Sequence, residues 1–195
     1  MSSEEKDTRT HILQTTWELL ESNPGRSLSM SQIAKASKLS RQALYLHFDS
    51  RTELLIATTH YVDEVKELDK RLQKLALAKS GEEMLKVCVD VWGNYIPEIY
   101  SVSKALIMTK DNDEAAAAAW TDIMACLIDV CAQIIDTLKK ENKLSNHWKL
   151  KDATDFFQTM ISIQNWEELT SGCGWSQKQY ISHVTEVLTA ALVAK

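Results

Sequence analysis

Glycine and proline are so scarce in this chain that a fold built from many tight turns is ruled out. There are five glycines and two prolines in 195 residues, and no glycine lies between Gly93 and Gly172. A β-rich chain needs turn residues at short intervals, so the sequence reads as all-α. Hydrophobic residues make up 45% and charged residues 25%, enough apolar surface to offset chain entropy. The longest stretch free of Asp, Glu, Lys and Arg runs from Phe156 to Trp166, shorter than the roughly 20 apolar residues of a membrane span, and no membrane helix is expected. The charged segment MSSEEKDTRT has no apolar core of the kind a secretory signal carries, so the expected location is cytoplasmic.

Helix boundaries follow from caps and breakers. Ile12, Leu13, Thr16, Trp17 and Leu20 recur at helical spacing, and Asn23-Pro24-Gly25 ends that helix. Ser29-Met30-Ser31-Gln32 is a capping box that opens a short second helix, and Ser40 is placed to cap a third, in which Leu44 and Phe48 share a face. Ser50-Arg51-Thr52-Glu53 starts a longer helix, expected through 52–75. Ser80-Gly81-Glu82-Glu83 caps another toward Tyr95, which Pro97 breaks or kinks, leaving a short helix before Thr109. Asp111 to Lys140 is a strong helix with acids first and lysines last. Leu150 to Ser171 follows, ended by Gly172 and Gly174. The last helix opens at the capping box Ser176 to Gln179, with Trp175 placed to staple onto Tyr180, and Tyr180, Val184, Val187, Leu188 and Ala191 form one apolar stripe.

Charge is distributed unevenly. The net charge is −5, yet Pro24 to Arg51 holds five basic residues against Asp49 alone. A basic module ahead of an acidic body is the electrostatic pattern of a DNA-binding head on a regulatory body. Within the head, Met30 to Phe48 reads as helix, tight turn, helix, with Arg41, Gln42 and Ala43 on the exposed first turn of the third helix. Arginine can read guanine and glutamine adenine, each in bidentate fashion, and alanine can pack on a thymine methyl. Ser29, Ser40, Tyr45, His47 and Arg51 surround this segment as phosphate contacts.

These residues resemble the helix-turn-helix signature of the tetracycline-repressor (TetR) family of bacterial transcriptional regulators. The matching pieces are I-A-x-x-x-x-L-S at Ile33 to Ser40, L-Y-x-H-F at Leu44 to Phe48, and S-[KR]-x-E-L-L at Ser50 to Leu55, in order and spacing. The resemblance implies a three-helix DNA-binding head over 1–51 and a helical ligand-binding and dimerisation body over 52–195. It implies a homodimer on the last two helices, a near-palindromic operator in double-stranded DNA and a small-molecule effector. Ser29, Tyr45, His47 and Arg51 fall where the family contacts phosphates; Arg41, Gln42 and Ala43 fall where it reads bases. Lys38 stands where a turn glycine is common. A left-handed conformation there costs a non-glycine residue about 1 kcal/mol or more, so either the turn is adjusted or the lysine is tolerated because it adds a phosphate contact.

The body is rich in large adaptable side chains. Trp92, Tyr95, Met108, Trp120, Met124, Phe157 and Met160, with Gln164 as a polar group, fit an apolar ligand pocket. Cys88, Cys126, Cys131 and Cys173 lack metal spacing and are expected as buried thiols, and His60, His147 and His183 have no partner at ligand spacing. No nucleophile elbow, zinc-protease, P-loop or dinucleotide pattern occurs. The chain therefore reads as a non-enzyme without cofactor or metal: a ligand-responsive repressor released by a small apolar molecule. The second reading is an all-helical small-molecule-binding or adaptor protein that keeps the head as a scaffold.

Overall fold

A computed structural model of the chain describes residues 3–194, and their side chains from Lys6 to Ala194. In order the helices are α1 (Ser3–Ser22), α2 (Met30–Ala36), α3 (Arg41–Tyr45), α4 (Arg51–Val65), α5 (Leu68–Ala76), α6 (Gly81–Thr109), α7 (Glu114–Lys140), α8 (Leu150–Met160), α9 (Ile163–Glu167) and α10 (Gln177–Leu192), with a π-helical turn at Glu168–Gly172. Among the described residues the one β-type pairing is a single antiparallel bridge between Leu144 and Val193. The all-α expectation holds.

Two compact units emerge, one from Met1–Lys66 with Ile99–Ile123, the other from Glu67–Glu98 with Met124–Lys195. In the first, α1 packs on α2 and α4, and α2 on α3. Ile12, Ile33, Leu44, Phe48 and Leu54 are fully buried there. His60 on α4 meets the Asp122 carboxylate of α7 at 2.5 Å. In the second unit, Leu85, Val89, Ile96, Ile134, Leu138 and Phe157 are buried.

Helix α7 is long and apolar enough, by length and composition alone, to cross a bilayer. Asp122, Asp129 and Asp136 interrupt it, so the helix contains no long charge-free run. Its residues Ala115, Ala116, Ala119, Leu127, Cys131, Ile134 and Leu138 are buried in the protein.

Three expected helices are divided differently. Helix α4 does not continue to residue 75: it stops at Val65, and Glu67 takes a left-handed conformation (φ +56°) with Lys70 beside its carboxylate at 3.0 Å. The turn places α5 in the second unit, where Leu68 is buried and Arg71 pairs with Glu98 at 2.7 Å. These contacts offset the roughly 1–2 kcal/mol cost of the left-handed residue.

Helix α6, in turn, passes through Pro97 unbroken from Gly81 to Thr109. Proline lacks the N–H that would reach the carbonyl four residues back. That carbonyl belongs to Gly93, and the Gln177 side-chain amide donates to it instead. Gly93 is required at this approach, since a Cβ there would stand 2.6 Å from the Ile181 Cγ1.

The helix expected over Leu150 to Ser171 ends early. Ile161 caps α8, its carbonyl accepts from the Trp92 indole N–H at 2.8 Å, and Ser162 then opens α9 by accepting from the Asn165 N–H at 3.2 Å.

Two of the cysteines differ from expectation as well. Cys88 and Cys131 are buried, but Cys126 and Cys173 are exposed. A hydrogen bond with Cys88, together with burial, pushes the Cys131 thiol up. Trp175 makes its ring contact edge-on with His183, at 5.1 Å between centroids.

Candidate nucleic-acid interface

The site is built on α2, a tight turn and α3. Ser29 accepts from the Gln32 N–H at 3.3 Å while the Gln32 side chain accepts from the Ser29 N–H at 2.8 Å, so both halves of the capping box form. Met30, Ile33 and Ala34 face inward. At the C-terminus of α2 the Ser37 N–H reaches Ile33 O at 2.9 Å and the Leu39 N–H reaches Ala34 O at 2.9 Å. The latter bond spans Lys38, which is left-handed at φ +58°. The turn therefore keeps the geometry glycine would favour, and lysine supplies it with its side chain exposed.

Ser40 then caps α3 by accepting from the Ala43 N–H at 3.0 Å. Leu44 and Phe48 are buried on the inner side. The Arg9 guanidinium of α1 sits 4.0 Å over the Phe48 ring and donates to His47 O, which fixes the chain leaving α3. On the outer side, the Arg41 guanidinium lies 5.6 Å from the Tyr45 ring centroid and 3.5 Å from its hydroxyl. Gln42 is exposed, and among the described residues no side-chain hydrogen bond occupies its amide. Ala43 is half-buried between these rows. Leu46, directly after α3, is 85% exposed.

Arg51 is placed differently from the other candidate phosphate contacts. At the first position of α4, its guanidinium donates to the Asp113 carboxylate at 2.6 Å and 2.5 Å, and to Leu28 O at 3.2 Å. The Asp113 side chain is 2% exposed and that of Arg51 is 28% exposed. Asp113 also caps α7, accepting from the N–H groups of Ala115 and Ala116 at 3.0 and 3.2 Å. Burial pushes the Asp113 carboxyl up, but hydrogen bonds from Arg51, Ser27 and the Ala116 N–H outweigh it and bring the pKa to about 2. Sequence reasoning missed Asp113 because it lies 62 residues from Arg51.

The expected pocket residues divide between the units. Met108 and Trp120 belong to the first; Trp92, Tyr95, Met124, Phe157, Met160 and Gln164 belong to the second. Trp92, Tyr95 and Phe157 are buried, with the Trp92 and Tyr95 rings 5.7 Å apart. Met108 is exposed beside Gly25. An open groove of about 450 Å³ on the second unit is lined by Asp90, Asn94, Gln177, Lys178, Ile181 and Ser182.

Along α10, Tyr180, Val184 and Leu188 are buried inside their own unit, while Val187 is 48% exposed and Ala191 half-buried. The Tyr180 hydroxyl is buried and has no hydrogen-bond partner among the described residues, and burial pushes its pKa up.

Comparison with known proteins adds an independent finding. Residues 12–58 match the family model described as bacterial regulatory proteins, tetR family. The nucleoid occlusion factor SlmA of Marinomonas sp. is 36% identical over 64 residues, which are 33% of this chain and 32% of that protein. The matched stretch thus spans about a third of this relative's length. Among solved structures, a transcriptional regulator from Saccharomonospora viridis crystallised with choline superimposes with a TM-score of 0.75 at 16% identity, covering 97% of this chain and 100% of that one. NalD of Pseudomonas aeruginosa, the secondary repressor of a multidrug efflux pump, gives 0.71 at 19% identity, covering 98% and 99%. At these identities the structures show a shared fold.

Proposed function

We propose that this chain, whose residues 12–58 match the family model of the tetR family of bacterial regulatory proteins, is a homodimeric transcriptional repressor whose operator affinity falls when a small apolar molecule binds its body. The observation that carries this reading is α3 itself. Its inner face is anchored by Leu44 and Phe48, and its outer first turn presents Gln42 to solvent with an unoccupied amide. That is what a helix needs in order to enter a major groove and read an adenine edge. Arg41, Gln42 and Ala43 read bases, while Ser29, Lys38, Ser40, Tyr45 and His47 hold phosphates. Arg51, turned toward Asp113, supports this surface as a strut from α4 to the start of α7. The proposed division is a head over 1–51 and a body over 52–195.

The effector reading rests on the aromatic and methionine side chains of the second unit, Trp92, Tyr95, Met124, Phe157 and Met160, and on the buried, unpartnered Tyr180 hydroxyl. The latter suits a polar atom on an otherwise apolar ligand. Choline in the Saccharomonospora regulator and efflux repression by NalD agree with a regulator of this kind. The likeness to SlmA lies within the head and bears on DNA reading alone.

The test is selection of duplexes from a random library by the full chain. A near-palindromic site should emerge. Gln42→Ala should weaken binding to it by about 1–3 kcal/mol and relax preference at one base pair per half-site. A library with no enriched sequence refutes the reading, as does an enriched site that Gln42→Ala and Arg41→Ala both bind as well as the parent chain.

A further inference from the structure

The most exposed large apolar side chain of the protein's described residues sits on the candidate DNA-reading surface. Leu46 is 85% exposed, against 38% for Tyr45 beside it and nearly complete burial of Leu44 and Phe48 on either side. It is right-handed helical (φ −72°, ψ −20°), and its N–H reaches both Gln42 O and Ala43 O at 3.2 Å. It therefore continues α3 by one residue and stands one turn beyond Gln42 and Ala43 on the same face. Arg41 and Tyr45, joined to each other, form the neighbouring row.

A leucine has no donor or acceptor, so it can contact neither a phosphate oxygen nor a base edge by hydrogen bonding. The apolar group that duplex DNA displays in the major groove is the thymine C5-methyl. If Gln42 reads an adenine, the thymines of that base pair and its neighbours carry such methyls in the groove that Leu46 faces. We propose that Leu46 is a specificity-determining residue that selects thymine by packing on its 5-methyl group at one position per half-site. The inference rests on the DNA-reading function proposed above and deepens it. It adds to the hydrogen-bonding pair Arg41 and Gln42 an apolar contact one turn beyond Ala43, with a larger side chain and far greater exposure.

The test uses the site selected by the full chain, remade with deoxyuridine in place of each thymine in turn, which removes the methyl and leaves the base pairing unchanged. One such replacement in a single half-site should weaken binding about four-fold, and the matching replacement in both half-sites roughly fifteen-fold, as expected for one buried methyl per half-site. Leu46→Ala should bind the thymine and deoxyuridine forms equally, and Leu46→Gln should do the same; both substitutions fall on an exposed side chain, and circular dichroism checks that the fold is retained. The inference is overturned if no thymine in the site is sensitive to loss of its methyl. It is equally overturned if Leu46→Ala keeps the full methyl effect while Ala43→Gly abolishes it, since Ala43 would then be the reader. Failure to enrich any sequence would instead strike the DNA-reading function itself, so the two failures are told apart.

Discussion

Replacing Asp113 by Asn keeps the size of the side chain and an oxygen able to cap α7, but removes the charge that Arg51 grips. In the structure that carboxylate is 2% exposed, accepts two hydrogen bonds from one guanidinium and two from the first turn of α7. Its pKa of about 2 in the folded chain, against 3.8 ordinarily, corresponds to about 2 kcal/mol of stability at neutral pH, at 1.36 kcal/mol per unit. Removing one partner of a buried pair typically costs 3–5 kcal/mol, and the partial exposure of Arg51 argues for the lower end. Asp113→Asn should therefore destabilise the protein by about 2–3 kcal/mol at pH 7. The sign with pH is set by the depressed pKa. The contribution is fully present above pH 3.8 and is lost as pH falls through about 2, so the two proteins should converge in acid.

Urea unfolding of both proteins at pH 7, 5, 4 and 3 measures this directly, because carboxylates common to both cancel in the difference. Asp113→Ala should cost about 1 kcal/mol more by also deleting the cap. A double-mutant cycle with Arg51→Met should return a coupling energy of about 1–3 kcal/mol. An Asp113→Asn chain within 0.5 kcal/mol of the parent at pH 7, or a difference that widens toward pH 3, would refute the argument.

Lys38→Gly should stabilise the head by about 0.5–1 kcal/mol, since glycine adopts φ +58° without strain; loss of the proposed phosphate contact should also make the slope of log K against log salt shallower by about 0.9 per protomer. A lower melting temperature for this variant would contradict the strain argument. Gln177→Ala leaves the Gly93 carbonyl opposite Pro97 without its donor and should cost about 1–3 kcal/mol, read from thermal unfolding. An unchanged midpoint would show that α6 tolerates Pro97 unaided. If the exposed part of α10 around Val187 joins two copies, Val187→Glu should convert a dimer at micromolar concentration to a monomer in light scattering with helicity retained. A parent chain that is itself monomeric would defeat the two-fold model.

What could be read along the chain is what neighbours within about four residues decide. The capping boxes at Ser29 and Ser176 form as the spacing S-x-x-Q requires, and the inward positions Ile33, Leu44 and Phe48 are buried as helical periodicity demands. The first turn of α3, with Arg41 and Gln42 exposed and Ala43 half-buried, is accordingly legible from residues 29–55. Ser162 with Asn165 carried a similar local signal that a long apolar pattern over Leu150 to Ser171 concealed.

The remaining features depend on partners far away in sequence. Pro97 should end a helix, and α6 survives because Gln177, 84 residues from Gly93, supplies the missing donor. Glu67 carries no breaker signal, yet turns left-handed where Leu68 becomes buried and Arg71 meets Glu98. Arg51 reads as an exposed phosphate contact until Asp113 is brought against it. Tyr180, Val184 and Leu188 form an apolar stripe under any arrangement, but whether it faces its own unit or a second copy depends on which surfaces have already been covered. Local rules assign a residue to a helix and to a face, because backbone hydrogen bonds and side-chain periodicity act within one or two turns. Which group neutralises a charge or replaces a missing N–H is decided when distant segments pack, since such bonds have no preferred separation along the chain.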